Sequence, residues 1–232
     1  MQLESVSVKR LYLQIAEQIS EMILSGQISA GDRLPSERDL AARFDVSRPT
    51  IREAMIALEV SDLVEIRSGS GVYVREHSDQ ASLSASLNDP GPFEIIEARR
   101  LVEGEAAALA AQRISDRELH QARQQLKRLS ELGADQVEEA ELADQQFHLI
   151  IAEASRNSAL STTIQWLWGL RNKSETSAAF HARLREQGSH PALEDHQAIL
   201  DALQKKDPEA ARLAMHNHLQ RVMEEFSEYS LN

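Results

Sequence analysis

The stretch from Leu34 to Leu58, LPSERDLAARFDVSRPTIREAMIAL, constrains this chain more than any other. Leu40, Ala41 and Phe44 recur at helical spacing in its first part, and Ile51, Ala54, Met55 and Leu58 do so in its second. Ser36 stands where an N-cap belongs, with Glu37 and Asp39 supplying the negative charge that suits a helix start. Ser47 begins the second helix in the same way, and Pro49 falls in its first turn, where a missing N–H costs little. The connection, Asp45-Val46-Ser47, is three residues long. Two short helices joined so tightly have the shape of a helix-turn-helix.

The second helix carries Arg48, Thr50 and Arg52 in its first two turns. N-terminal residues of such a helix are the ones that reach base edges, and arginine can grip guanine O6 and N7 with two hydrogen bonds. The plainer reading is that they are ordinary surface arginines on an amphipathic helix.

Before this stretch, Leu11, Ile15, Ile19, Met22 and Ile23 form an apolar stripe that predicts a first helix over Lys9–Ser25, ended by Gly26. After it, Val64, Ile66, Val72 and Val74 alternate on either side of Ser68-Gly69-Ser70, as in a small hairpin. A hairpin directly after a recognition helix is a wing, and Gly69 at its tip lets the main chain approach a partner closely. A hairpin that merely covers the core is the alternative.

Composition narrows the rest. The chain has 232 residues, enough for two ordinary domains, with 42% hydrophobic residues and only 4% aromatic ones, which favours helices with aliphatic seams. With no cysteine, disulfides, thiolate metal sites and cysteine nucleophiles drop out. No N-terminal apolar signal region or long apolar run appears, so a cytoplasmic location without membrane contact is expected. The net charge of −12 speaks against a general nucleic-acid coat. Residues 1–75 hold nine Lys and Arg against eleven Asp and Glu, so the acidity belongs mainly to the second half. A nearly neutral DNA-binding domain must rely on a few placed arginines and on dimerisation.

The run from Gly31 through Val74, with LPSER, SRPTIREA and GSGVYV in that order, resembles the winged helix of the GntR superfamily of bacterial transcription regulators. The resemblance implies contacts with double-stranded operator DNA through Arg38, Ser47, Arg48, Thr50 and Arg52 and through the wing at Ser68 and Gly69, with Arg33 as a phosphate contact. Pro49 departs from the pattern, standing where other members often carry a hydroxyl residue.

From about Glu76 to Pro92 the sequence turns rich in Ser, Asp, Pro and Gly and reads as a linker. Everything beyond reads as helix: a stripe through Ile95, Ala98, Val102, Ala106 and Leu109, a capping box at Ser115–Glu118, and a second such box at Asp135–Glu138. Further helices are predicted over Ser158–Arg171, Ser174–Glu186, His190–Lys205 and from Pro208 to about Glu228. The expected fold is mainly α: an N-terminal winged helix-turn-helix over 1–75, a linker over 76–92, and an all-α antiparallel bundle of about seven helices over 93–232.

The chemistry of the second half lies in its histidines. Asp144 and His148 are four apart and share a helix face, while His196 and His218 fall in the last two helices. One carboxylate and three imidazoles pointing into a bundle would form a divalent-metal site of zinc, nickel, manganese or iron type. Spacing alone does not bring them together, and the alternative is scattered surface or capping histidines. His77, His120, His181, His190 and His216 look unremarkable, and His216 and His218, two apart, do not both face inward.

Residues 93–228 resemble the FCD effector domain of the FadR subgroup, through EARRLVE, DQQFHLIIAEASRN, EDHQAILDALQKKD and AMHNHL. The resemblance implies that Asp144, His148, His196 and His218 are metal ligands, with zinc first among the candidates. It also implies that Arg99 reaches into the cavity to meet an effector carboxylate. An Arg99–Glu103 ion pair on the helix surface is the alternative, and Arg171 is a second cavity candidate. Within the subgroup the chain is most similar to UxuR- and ExuR-type regulators of sugar-acid use. The implied function is a homodimeric repressor of a pseudo-palindromic operator, released by a small carboxylate bound beside the metal. The competing readings are a regulator of another small or fatty acid and a metal-dependent enzyme on a DNA-binding module. The absence of HExxH, P-loop and GxSxG motifs weighs against the enzyme.

Overall fold

A computed structural model of the chain describes residues 10–67, 69–76, 89–133, 136–186 and 192–228. They form ten helices and one two-stranded sheet. The described residues divide into two compact units: one holds those up to Gly91 with Ser174–Ala179 and Ser227–Glu228, the other those within Pro92–Lys173 and Phe180–Phe226. No helix among the described residues is long and apolar enough to cross a membrane.

In the first unit, α1 (Leu11–Leu24), α2 (Glu37–Phe44) and α3 (Arg48–Val60) precede β1 (Val64–Arg67) and β2 (Gly71–Val74). The helix signals act as their chemistry requires. Ser36 Oγ accepts from the Asp39 N–H at 3.2 Å, and Ser47 Oγ from the Thr50 N–H at 3.3 Å. Asp45 closes α2 in the left-handed conformation at φ 54°, which makes the three-residue turn sharp. Helix α1 packs on α3, whose Ile51 and Ala54–Leu58 are sealed from solvent. The strands pair antiparallel with Val64 opposite Val74 and Ile66 opposite Val72, so one face of the hairpin covers the helices.

The second unit is helical throughout: α4 (Pro92–Arg113), α5 (Asp116–Glu131), α6 (Val137–Ala154), α7 (Ser158–Lys173), the later part of α8 (Glu175–Glu186), α9 (Leu193–Gln204) and α10 (Pro208–Glu228). The capping box at α5 is formed in both directions between Ser115 and Glu118. At α6 the residue before the helix is Gln136, whose side chain makes no capping bond; Asp135, expected there, lies outside the described residues, as do His77, His190 and linker residues 77–88. Helix α4 lies against α6, α7 and α9, and α5 against α6 and α9. Burial on α4 departs from the predicted stripe: Ile95 and Ala106 are buried but Ala98, Val102 and Leu109 only half-buried, while this central position encloses Arg99, Glu103, Gly104, Ala107, Ala110 and Ala111.

Candidate functional site

On the first unit, the polar residues expected to meet DNA separate into two groups. Arg33, Arg38, Ser47, Arg48 and Gly69 are exposed, and Thr50 is half-buried with its hydroxyl 2.8 Å from Ser47 Oγ. Arg38 has 85% of its side chain in solvent and Arg48 49%. Gly69 turns the hairpin at φ 70°, the left-handed region that only glycine enters freely. Ser68 lies outside the described residues. Arg52 is placed otherwise. Its Nε and Nη2 donate to the two carboxylate oxygens of Glu37 at 2.8 and 2.6 Å, and 1% of it is exposed. In this conformation it ties α3 to α2 and offers no donor to a partner outside.

In the second unit, α6 brings Asp144 and His148 to one face, α9 brings His196 and α10 brings His218. One ligand atom from each lies within 4.8 Å of the others. Asp144 Oδ1 is 2.6 Å from His196 Nε2 and 3.7 Å from His148 Nε2. All three imidazoles are buried, while the Asp144 carboxylate keeps 17% of its surface.

Two of the three outward nitrogens are hydrogen-bonded, whereas His218 Nδ1 is buried without a hydrogen bond. His196 Nδ1 donates to the Ala192 carbonyl at 2.7 Å, and His148 Nδ1 is hydrogen-bonded to Glu103 Oε2. A carbonyl or carboxylate can only accept, so both rings carry their proton on Nδ1 and turn Nε2 toward the cluster. His148 Nε2 is buried there without a hydrogen-bond partner. His218 Nδ1 lies 3.4 Å from Asp195 Oδ2, and Asp195 is held by Arg221 Nε at 2.6 Å.

Electrostatics favours a cation at this point. Burial pushes Asp144 up, but the hydrogen bond and charge of His196, with His148 and His218 behind it, outweigh burial and hold it far below the usual carboxylate range. Burial pushes His196 down, yet Asp144 holds it up overall, so the two share a proton that a metal ion would displace. His218 is pushed down to about 4, chiefly by burial, and is neutral at pH 7 as a ligand must be. A buried unpartnered imidazole nitrogen, two further imidazoles and one carboxylate suit a borderline divalent ion.

The two candidate effector arginines already have partners. Arg99 Nε donates to Glu103 Oε1 at 2.6 Å, and its guanidinium stacks 3.7 Å from the centre of the Trp168 ring. The Arg99–Glu103 pair weighed as a surface contact therefore forms, but in the interior, with 6% and 2% of the side chains exposed. Arg171 Nη2 donates to Glu141 Oε1 at 2.6 Å, with 12% and 19% exposed. Trp168 is core, whereas Trp166 is 59% exposed.

Glu103, Asp195, Arg221 and the Ala192 carbonyl escape sequence reasoning as partners of the histidines. His148 and Glu103 are 45 residues apart, and nothing local links them. His216 also departs from expectation: it packs its Nε2, buried and without a hydrogen-bond partner, against Gly104 of α4, where any side chain at 104 would collide with it. Two residues apart on α10, His218 and His216 serve two neighbouring helices.

Comparison with known proteins agrees with both halves. Residues 11–74 match the bacterial regulatory proteins of the gntR family, and residues 94–221 match the FCD domain. The chain is 40% identical over 225 residues to the Uxu operon regulator of Haemophilus influenzae, covering 96% of this chain and 84% of that one. It is 37% identical over 232 residues to the Uxu operon transcriptional regulator of Escherichia coli, covering 97% and 90%. It is 36% identical over 225 residues to the Exu regulon transcriptional regulator of the same organism, covering 95% and 86%. In fold, it is similar to a GntR family regulator of Pseudomonas syringae with a TM-score of 0.53 at 22% identity, covering 94% of this chain and 85% of that one. The chain is thus a transcriptional regulator rather than an enzyme, and it belongs to the GntR family with an FCD domain as its second half.

Proposed function

We propose that this regulator is a homodimeric repressor, acting in the cytoplasm, whose hold on a palindromic operator is released by a small sugar acid bound beside a divalent metal. The observation that carries the reading is the convergence of Asp144, His148, His196 and His218 from three helices with a buried imidazole nitrogen left unpartnered. A divalent ion held by these four residues would supply a Lewis-acidic centre able to take carboxylate and hydroxyl oxygens. A sugar acid as the ligand class rests on the resemblance to UxuR- and ExuR-type regulators, with which the Uxu and Exu names of its relatives agree.

On the DNA side, the exposed Arg38, Ser47, Arg48 and Gly69, with Thr50, are the proposed operator contacts, and Arg33 beside the wing a phosphate contact. Ser68 keeps its proposed place at the wing. Arg52 is better suited to bracing the recognition helix through Glu37. Of the two arginines proposed for the effector, Arg171 fits better: it is partly open, and one carboxylate, Glu141, is its partner for an incoming acid to replace. The proposed domains are 1–75 for DNA binding and 93–232 for metal, effector and dimer contacts, with a linker over 76–92. By linkage, operator and effector must weaken one another's binding by the same factor.

The test is a fluorescence-anisotropy titration on the regulator's own upstream DNA at fixed salt, against a panel of sugar acids, with and without a chelator. The reading expects one acid to release the DNA and expects that release to vanish after metal removal. Tight DNA binding indifferent to every acid and to chelation would overturn it.

A further inference from the structure

Among the groups around the metal cluster, the reading above leaves Glu103 without a task, although it is one of the most buried charged residues in the chain, 2% exposed. An ionised carboxylate in such a place is costly unless its lone pairs are taken up. Glu103 has both oxygens engaged: Oε1 by Arg99 Nε at 2.6 Å and Oε2 by His148 Nδ1. Arg99 is fixed in turn, with its guanidinium stacked on the buried Trp168 ring. That ring also lies beside His148, with centroids 5.4 Å apart. Glu103 and Trp168 thereby flank the His148 imidazole from α4 and α7, with Arg99 behind both.

We propose that Glu103 is the positioning residue that fixes His148 for metal binding, and that Arg99, stacked on Trp168, positions Glu103 instead of meeting the effector. This inference rests on the metal reading given above. A carboxylate on Nδ1 decides the tautomer, aims Nε2 at the ion and raises its basicity; losing such a partner typically costs about 10- to 100-fold in metal affinity. Arg99 has a second reason to stay where it is. Were it to leave for an effector's carboxylate, Glu103 would remain a buried charge with one partner lost.

The experiment compares the full chain with Glu103→Gln, Arg99→Lys and His196→Ala. Zinc affinity is measured by competition with a chromophoric chelator, and the ligand-field absorption of the cobalt(II) form is recorded for each. Glu103→Gln is expected to lose about 10- to 100-fold in zinc affinity and to change the cobalt bands, with the helical circular dichroism retained. Arg99→Lys keeps the charge but neither the fork nor the stack, so it is expected to show a smaller loss in the same direction. Wild-type zinc affinity and an unchanged cobalt spectrum in both variants, alongside loss in His196→Ala, would overturn the inference and leave the metal reading standing. Wild-type protein that takes up no metal would overturn both. Should Glu103→Gln fail to fold, long-range proton–nitrogen NMR of the zinc-loaded wild type decides the matter. His148 with its proton on Nδ1 supports the inference, and His148 protonated on Nε2 overturns it.

Discussion

Glu37 of α2 and Arg52 of α3 close on each other as a two-pronged fork, 2.8 Å at one prong and 2.6 Å at the other, with at most 2% of either side chain exposed. A buried pair of this kind contributes little over a well-packed apolar pair, but removing one member strands the other. Glu37→Ala is therefore predicted to destabilise the winged helix by about 3–5 kcal/mol, read from the denaturation midpoint of its unfolding transition. A midpoint unmoved from wild type would show that Arg52 is not held in this way.

Arg38 and Arg48 stand on the other side of that division: Arg38 is exposed, and the half-exposed Arg48 reaches Glu37 Oε2 only at 3.4 Å, so its loss leaves that carboxylate still held by Arg52. Arg48→Ala and Arg38→Ala are each predicted to weaken operator binding by about 1–3 kcal/mol while leaving the melting temperature within a degree or so of wild type. Arg33→Ala is predicted instead to reduce the salt slope of DNA binding by about one, in the manner of a phosphate contact. Anisotropy titrations at several salt concentrations separate the two behaviours.

A metal that binds the folded cluster stabilises it by mass action. Zinc at roughly 100 times its dissociation constant is predicted to add about 2.7 kcal/mol to the unfolding free energy of the second unit. His196→Ala and His218→Ala are predicted to abolish that increment. Calorimetry with and without zinc checks this, and an equal increment in the variants would place the ion elsewhere.

Glu118 caps α5 and is gripped at both oxygens by Arg156 at 2.7 Å. Burial pushes its carboxyl up, but the hydrogen bonds of Arg156 and Ser115 outweigh this and hold it down at about 2. A carboxyl depressed in the folded state stabilises above its unfolded value near 4.5, and the contribution fades as pH falls toward 2. Glu118→Gln is predicted to lower stability by about 1 kcal/mol at pH 7, a figure limited by solvent screening of the pair. That difference should shrink steadily between about pH 4.5 and pH 2. Thermal melts of both proteins across this range test the sign, and a difference that grows on acidification would contradict it.

Much of this architecture can be read from local pattern, since caps, turns and apolar periods are local physics. Ser36, Ser47 and Ser115 cap the helices their spacing assigns to them. The alternation of Val64, Ile66, Val72 and Val74 becomes the hairpin's buried face. What escapes is burial decided by tertiary position. Arg52 looks like any exposed recognition-helix arginine until α2 places Glu37 over it. The i,i+4 spacing of Arg99 and Glu103 is visible, but their enclosure is not, because α4 is covered on more sides than its apolar stripe marks. The approach of His196 and His218 to Asp144 and His148 follows from resemblance alone, as no spacing rule joins helices 50 and 70 residues apart. The outer partners Glu103 and Asp195 carry no signal of their own, since a carboxylate on a helix is ordinary until its neighbour is known.

Everything proposed for the second unit depends on Asp144, His148, His196 and His218 holding one divalent ion. The most direct measurement is a crystal structure of zinc-loaded protein recorded on both sides of the zinc absorption edge. One anomalous peak per chain is expected, within about 2.0–2.2 Å of all four residues. A chain with no peak between them, or a peak bound by other residues, would contradict it.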